Sequence, residues 1–190
     1  MIKPDDIINL NDIQQNTNII GDRTIYDILF EGDAAFLATG FGVVKLNLER
    51  EEFEFTTFTG LPVFSITLFN GQFYAATDEG IYTVSNQENI NLGDFGNWRL
   101  LDVPDGFPAV YSSQAVAAHH GRLYADISGD LFQYDGNELE EVHSENDFNV
   151  SFLSPGVEHL IVGFSKITSG NDIVLLFEED GTVTLSLIHI

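Results

Sequence analysis

The chain has no cysteine, which excludes disulfides, zinc–thiolate centres and cysteine nucleophiles. Basic residues are scarce: seven Lys and Arg stand against 30 Asp and Glu, a formal charge of −23 over 190 residues. That field repels phosphate backbones and anionic headgroups, so neither nucleic acid nor direct membrane insertion is expected. The acids are scattered rather than clustered, as on a solvated surface, although the same field would draw cations or basic partners. No apolar run reaches the length of a membrane span, and the opening MIKPDDIINLND lacks the basic and apolar regions of a signal peptide. For an exported protein, the chain is therefore expected to be a fragment or a trimmed product. No dozen residues carry an i, i+3, i+4, i+7 apolar stripe, so helices are not expected.

What is abundant is Phe, 16 of them, mostly within short apolar runs separated by glycine-containing turns. Ile25–Phe30, Ala34–Thr39, Gly42–Leu48 and Phe53–Phe58 read as one quartet of strands. Phe64–Phe69, Gln72–Thr77, Ile81–Val84 and Trp98–Val103 read as a second. The quartets resemble each other. Phe36–Val44 aligns with Tyr74–Tyr82 at a shift of 38 positions, and Gly71–Ala75 recurs as Gly121–Ala125 at a shift of 50. The extra 12 positions fall in the Gly-, Asn- and Asp-rich segment Ser85–Asn97. A poorer fourth copy runs from Phe152, through His159–Gly163 and Asp172–Phe177, to a turn at Glu179-Asp180-Gly181. Four strands repeating about every 40 residues is the pattern of propeller blades. The expected fold is all-β: about four four-stranded blades, forming part of a larger, seven-bladed β-propeller. The units are expected near 25–62, 63–111, 112–150 and 151–190, with 1–24 a partial preceding blade.

Gly40-Phe41-Gly42 with Lys45 behind it invites a phosphate-loop reading. Such a loop needs a helix after its glycines to offer backbone N–H groups to the anion, and here a β-rich segment follows. The equivalent Thr77-Asp78-Glu79-Gly80 would put two acids where the phosphate should sit. The glycines are therefore expected to supply positive φ in a hairpin.

The same residues carry a family likeness. Thr39-Gly40-Phe41-Gly42-Val43-Val44, then Thr59-Gly60-Leu61-Pro62, then Ala76-Thr77-Asp78-Glu79-Gly80-Ile81-Tyr82, resemble two-component-regulator-type propeller repeats. Ile8–Ile13, Thr24–Ile28 and the Gly40–Leu48 hairpin resemble the PorZ family of surface propellers of the type IX secretion system. The resemblance implies a parent with two propellers and a small C-terminal β-domain. It also implies an extracytoplasmic location, at the cell surface or in the periplasm. The implied partners are proteins of a secretion or signalling complex and a surface glycan, with anionic lipopolysaccharide as the family's ligand.

Local constellations add little chemistry. His119-His120 would point to opposite faces of a strand and so not share a metal. His143, His159 and His189 stand singly. The acidic turns at Asp126–Asp130, Asp135–Glu138 and Glu178–Gly181 do not reproduce a calcium loop and suit Asx turns. Asp94-Phe95-Gly96 lacks every other kinase element. Phe41, Phe107 and Tyr111 could form a stacking surface, joined by His119 and His120 as a candidate binding surface, or could plug blade interfaces; Trp98 is expected to pack between blades. No catalytic residue, metal ligand or cofactor is assigned. The expectation is a non-catalytic recognition module. The alternatives are the ligand-sensing propeller of a two-component regulator and a propeller lyase or hydrolase with a rim active site.

Overall fold

The structure, a computed structural model, describes residues 22–168, 172–178 and 182–186. Within them, runs of mostly five to seven residues alternate with tight turns and build four antiparallel meanders. Blade 1 holds β1 (Ile25–Glu31), β2 (Ala34–Thr39), β3 (Gly42–Asn47) and β4 (Glu52–Phe58). Blade 2 holds β5 (Val63–Phe69), β6 (Gln72–Thr77), β7 (Gly80–Ser85) and β8 (Arg99–Leu100). Blade 3 holds β9 (Val116–His119), β10 (Arg122–Ile127), β11 (Asp130–Tyr134) and β12 (Leu139–His143). Blade 4 holds β13 (Phe148–Pro155), β14 (Leu160–Lys166), β15 (Ile173–Phe177) and β16 (Val183–Ser186). No helix among the described residues is long and apolar enough to cross a membrane.

Each sheet is apolar on both faces, so the blades stack face to face. Phe36, Ala38 and Val43 of blade 1 meet Val63, Ile66, Phe73 and Trp98 of blade 2. Ile81 and Leu101 of blade 2 meet Leu123, Ala125 and Ile127 of blade 3. Ala117, Tyr124 and Leu131 of blade 3 meet Val150, Val162, Phe164 and Phe177 of blade 4. The second strands lie deepest. All six residues of β2 are buried, and its alanines, like those of β6, let the sheets approach closely. The far side of blade 1 is only partly covered: Ile28 and Phe30 are 47% and 67% exposed beside a shallow apolar hollow of about 220 Å³.

The first strands β1, β5, β9 and β13 lie side by side at the centre. Their backbone edges are not joined in a ladder, and the preceding blade supplies the acceptors. Asp27 Oδ2 accepts from Ile66 N (3.1 Å) and Ser65 Oγ (2.9 Å). Ser65 Oγ and Thr67 Oγ1 accept from Val116 N (3.3 Å) and Ala118 N (3.1 Å). Gly129 O accepts from Val150 N (2.9 Å).

The repeat signature is a turn lock. Thr39 Oγ1 donates to Gly42 O, and Thr77 Oγ1 to Gly80 O, each at 2.8 Å. Gly42 has the expected positive φ (139°), and a Cβ there would lie 1.9 Å from Thr57 O. Gly40 is needed for a different reason: its φ is ordinary, but a Cβ would lie 2.4 Å from Asp22 O. Blade 3 changes the turn itself. Ser128 and Gly129 both take positive φ (56° and 106°), the pattern of a type I′ hairpin, and the turn is locked by Asp126 instead of a threonine.

Several strand boundaries differ from expectation, and two of the differences have a clear cause. The outer strand expected at Trp98–Val103 is only Arg99–Leu100, because Pro104 has no N–H for a ladder and begins a 3₁₀ turn at Val103–Asp105. β13 starts at Phe148, three residues before the expected unit boundary, since Val150 N is drawn to Gly129 O. The partial blade expected at 1–24 and the turn at Glu179–Gly181 lie largely or wholly outside the described residues. Two substitutions separate the roles of glycine. Gly42→Ala should cost at least about 2 kcal/mol in urea unfolding, because a backbone oxygen blocks the Cβ. Gly60→Ala, with φ 72° and open space, should cost about 1 kcal/mol. Equal losses would show that close approach to Thr57 is not what Gly42 provides.

Candidate binding site on the propeller axis

One cavity, of about 130 Å³, is lined by all four blades. It opens where β1, β5 and β9 begin, and Tyr26-Asp27, Phe64-Ser65, Gln114 and Phe152 shape it. Tyr26 and Phe64 meet edge to face with centroids 5.2 Å apart. The Tyr26 hydroxyl donates to Asp22 Oδ2 at 2.5 Å, which fixes the ring and holds Asp22 below the usual carboxylate range. Phe152 is 45% exposed and its ring lies over Gly163, whose missing side chain leaves room for it. Among the described residues, Asp27 is the only charged one of the lining.

The polar groups here are held by backbone. Besides its bonds to β5, Asp27 accepts from Ile28 N at 2.8 Å. Ser65 Oγ lies 3.1 Å from Val116 O. Gln114 is placed by Asp126, whose Oδ2 accepts from Gln114 N and whose Oδ1 accepts from Gly129 N, both at 2.7 Å. Asp126 is 3% exposed, and burial pushes its pKa up to about 6 against the pull of these two N–H donors.

The residues proposed from sequence do not gather here. Phe41, Phe107 and Tyr111 are buried. Phe107 and Tyr111 stack between blades 2 and 3, where the Tyr111 hydroxyl accepts from Ile81 N and donates to Leu101 O at 3.1 Å each. Phe41 joins the cluster on the far side of blade 1. These rings are plugs, so they offer no exposed stacking platform. His119 and His120 sit at the opposite end of the blades, at the close of β9. Their expected divergence fails because His120 has left the strand: its φ of 43° swings the two rings to 4.1 Å between centroids. Among the described residues, no group of three or more His, Asp and Glu is arranged to hold a metal ion. His143 packs edge-on to Phe164 and Phe177, and His159 Nε2 lies 2.8 Å from Glu178 Oε1, while His189 is outside the described residues.

The acidic turns at Asp126–Asp130 and Asp135–Glu138 are occupied by their own backbone. Asp126 Oδ1 accepts from Gly129 N, and Asp135 Oδ1 accepts from Asn137 N and Glu138 N at 2.8 and 2.9 Å. The turn after Glu178 lies outside the described residues. The segment after β7 folds back over blade 1, with Leu92 O accepting from Thr57 Oγ1 and Trp98 Nε1. It borders a second hollow of about 450 Å³ in which Lys45 is tied to Glu54 at 2.7 Å and lies over Phe36 and Phe55. Sequence reading missed the axial residues because their meeting depends on four blades converging. The available signal was a pair holding a ring and a polar side chain at the irregularity of three of the four inner strands: Tyr26-Asp27, Phe64-Ser65, Ser151-Phe152.

Asp126 gives this end of the molecule a pH dependence. An unfolded Asp titrates near 3.9, below the folded value of about 6, so the folded state holds the extra proton between them. The contribution is therefore fully present below about pH 4 and is lost as pH rises through about 6. Asp126→Asn should flatten the change in unfolding free energy between those limits by about 1–2 kcal/mol, read from urea titrations at several pH values. An unchanged slope would mean that Asp126 is not the group responsible.

Residues 1–99 match the family model described as the N-terminal β-propeller domain of PorZ of the type IX secretion system. No curated protein matches the chain in sequence. Among solved structures it resembles PorZ of Porphyromonas gingivalis, an essential bacterial surface component of that system, with a TM-score of 0.74 and 18% identity. The match covers 95% of this chain and 23% of that one. It also resembles the extracellular domain of a one-component system of B. thetaiotaomicron (TM-score 0.63, 14% identity, 87% of this chain and 22% of that one). Hydrazine synthase of Kuenenia stuttgartiensis shares the fold too (TM-score 0.64, 13% identity, 92% and 52%). The chain thus spans under a quarter of the first two, and these likenesses show a propeller fold. With more than half of its length matched by the family model, the chain belongs to the family of PorZ N-terminal β-propeller domains.

Proposed function

We propose that the chain is a non-catalytic recognition module acting outside the cytoplasm, within a PorZ-type component of the type IX secretion surface complex. The family match carries this reading. The axial chemistry supports it: Asp27 and Ser65, the pair there that could move a proton, are engaged with the backbone of neighbouring strands. Such groups fasten blades together and are not free to attack or protonate a substrate. The charge of −23 favours partners carrying basic surface over an anionic glycan. The chain is part of a larger ring whose further blades complete the cover over Ile28 and Phe30.

Disrupting the gene that encodes this chain in its own bacterium tests the proposal. Type IX cargo should then accumulate in the periplasm and disappear from the cell surface, as read by fractionation. Normal surface display would overturn the secretion role, and a purely transcriptional phenotype would favour the sensor reading.

A further inference from the structure

We propose that the axial cavity binds an organic cation, the ammonium or guanidinium head of a basic side chain. This deepens the recognition reading and rests on it. The lining combines one carboxylate, Asp27, with an aromatic residue from each of three blades, Tyr26, Phe64 and Phe152, in a wall that is otherwise largely polar. Among the described residues no Lys, Arg or His lines it, so Asp27 faces no cation of the wall and meets only the neutral donors Ile28 N, Ile66 N and Ser65 Oγ. Aromatic faces carry negative potential and attract cations within about 6 Å, most strongly where water is partly excluded. Asp22 sets a second carboxylate against the Tyr26 hydroxyl.

Size narrows the ligand. A cavity of about 130 Å³ holds about four water-sized groups, the room needed for a charged head and its last methylenes. A sugar ring, with about twelve heavy atoms, would not fit inside. Gln114 can accept a hydrogen bond from the head through its amide oxygen. The charge of the whole chain steers cations toward the surface, while the rings and Asp27 give one location its selectivity.

Calorimetric titration of the protein with Nα-acetyl-lysine amide tests this, with its Nε-acetylated form, tetramethylammonium and calcium chloride alongside. The lysine amide should bind one to one and survive about 0.3 M salt, where the screening length is roughly 6 Å. The Nε-acetylated form should not bind. Phe152→Leu should weaken binding about fivefold. Gly163→Ala should do the same without touching the lining, because its Cβ would fall 2.1 Å from the Phe152 ring and push it aside. Asp27→Asn should weaken binding further. If that variant unfolds, the Phe152 and Gly163 variants still decide. Tighter binding of tetramethylammonium than of the lysine amide would assign the site to a free small cation, and the reverse order to a protein side chain. Unchanged affinity in both ring variants, binding of the acetylated form, or displacement by one equivalent of calcium would overturn the proposal. Intact lysine binding with normal cargo display would sink only the secretion reading. Lost lysine binding with the secretion defect retained would sink only the cation site.

Discussion

A four-stranded blade that is apolar on both faces carries two problems at once: surface that must leave water, and a backbone edge at the centre of the ring that must not go unpaired. Face-to-face stacking solves the first, since the interleaved side chains of successive blades form continuous cores. The second is solved by a relay. Asp27, Ser65, Thr67 and Gly129 O each accept from a backbone N–H of the next inner strand. The relay allows the inner strands to lie side by side without merging into one sheet. It is also why the central polar residues are structural before they are anything else.

The repeats meet the same mechanical need with different chemistry. Blades 1 and 2 lock the turn between their second and third strands with a threonine hydroxyl, which is neutral and both donates and accepts. Blade 3 has Asp126, which only accepts when ionised, and it uses that capacity to gather Gly129 N and Gln114 N. The exchange buries a carboxylate, and its raised pKa is the consequence. A change that looks like drift between copies thereby adds a titrating group to one end of the propeller.

Charge and aromatic residues from several blades meet at that end. Most of the acids face solvent, where salt screens them. Asp27 instead sits among rings from several blades, where a cation would meet less water. The rings that drew notice in the sequence, Phe41, Phe107 and Tyr111, are interior, whereas Tyr26 and Phe152 keep 42% and 45% of their surface exposed at the axis. Loop aromatics next to glycines read as surface features, yet here the loops fold into the blade interfaces and take the rings with them.

Strand alternation and turn residues, which depend on neighbours one to four residues apart, and their recurrence about every 40 positions determined the all-β propeller architecture in the chain itself. Thr39-Gly40-Phe41-Gly42 and its copy at Thr77 were legible for that reason, and so was the packing of Trp98 between blades. The reason for Gly40 was not legible, since Asp22 O approaches it from beyond the hairpin. Nor was the facing of His119 and His120, which a single left-handed residue reversed. The axial site was the furthest from view. Tyr26, Asp27, Phe64, Gln114 and Phe152 lie up to 126 positions apart in the chain, and no periodicity relates them to a shared ligand. Only the stacking of four twisted sheets around one line brings these residues to a common cavity, so the tertiary structure alone decided that they meet.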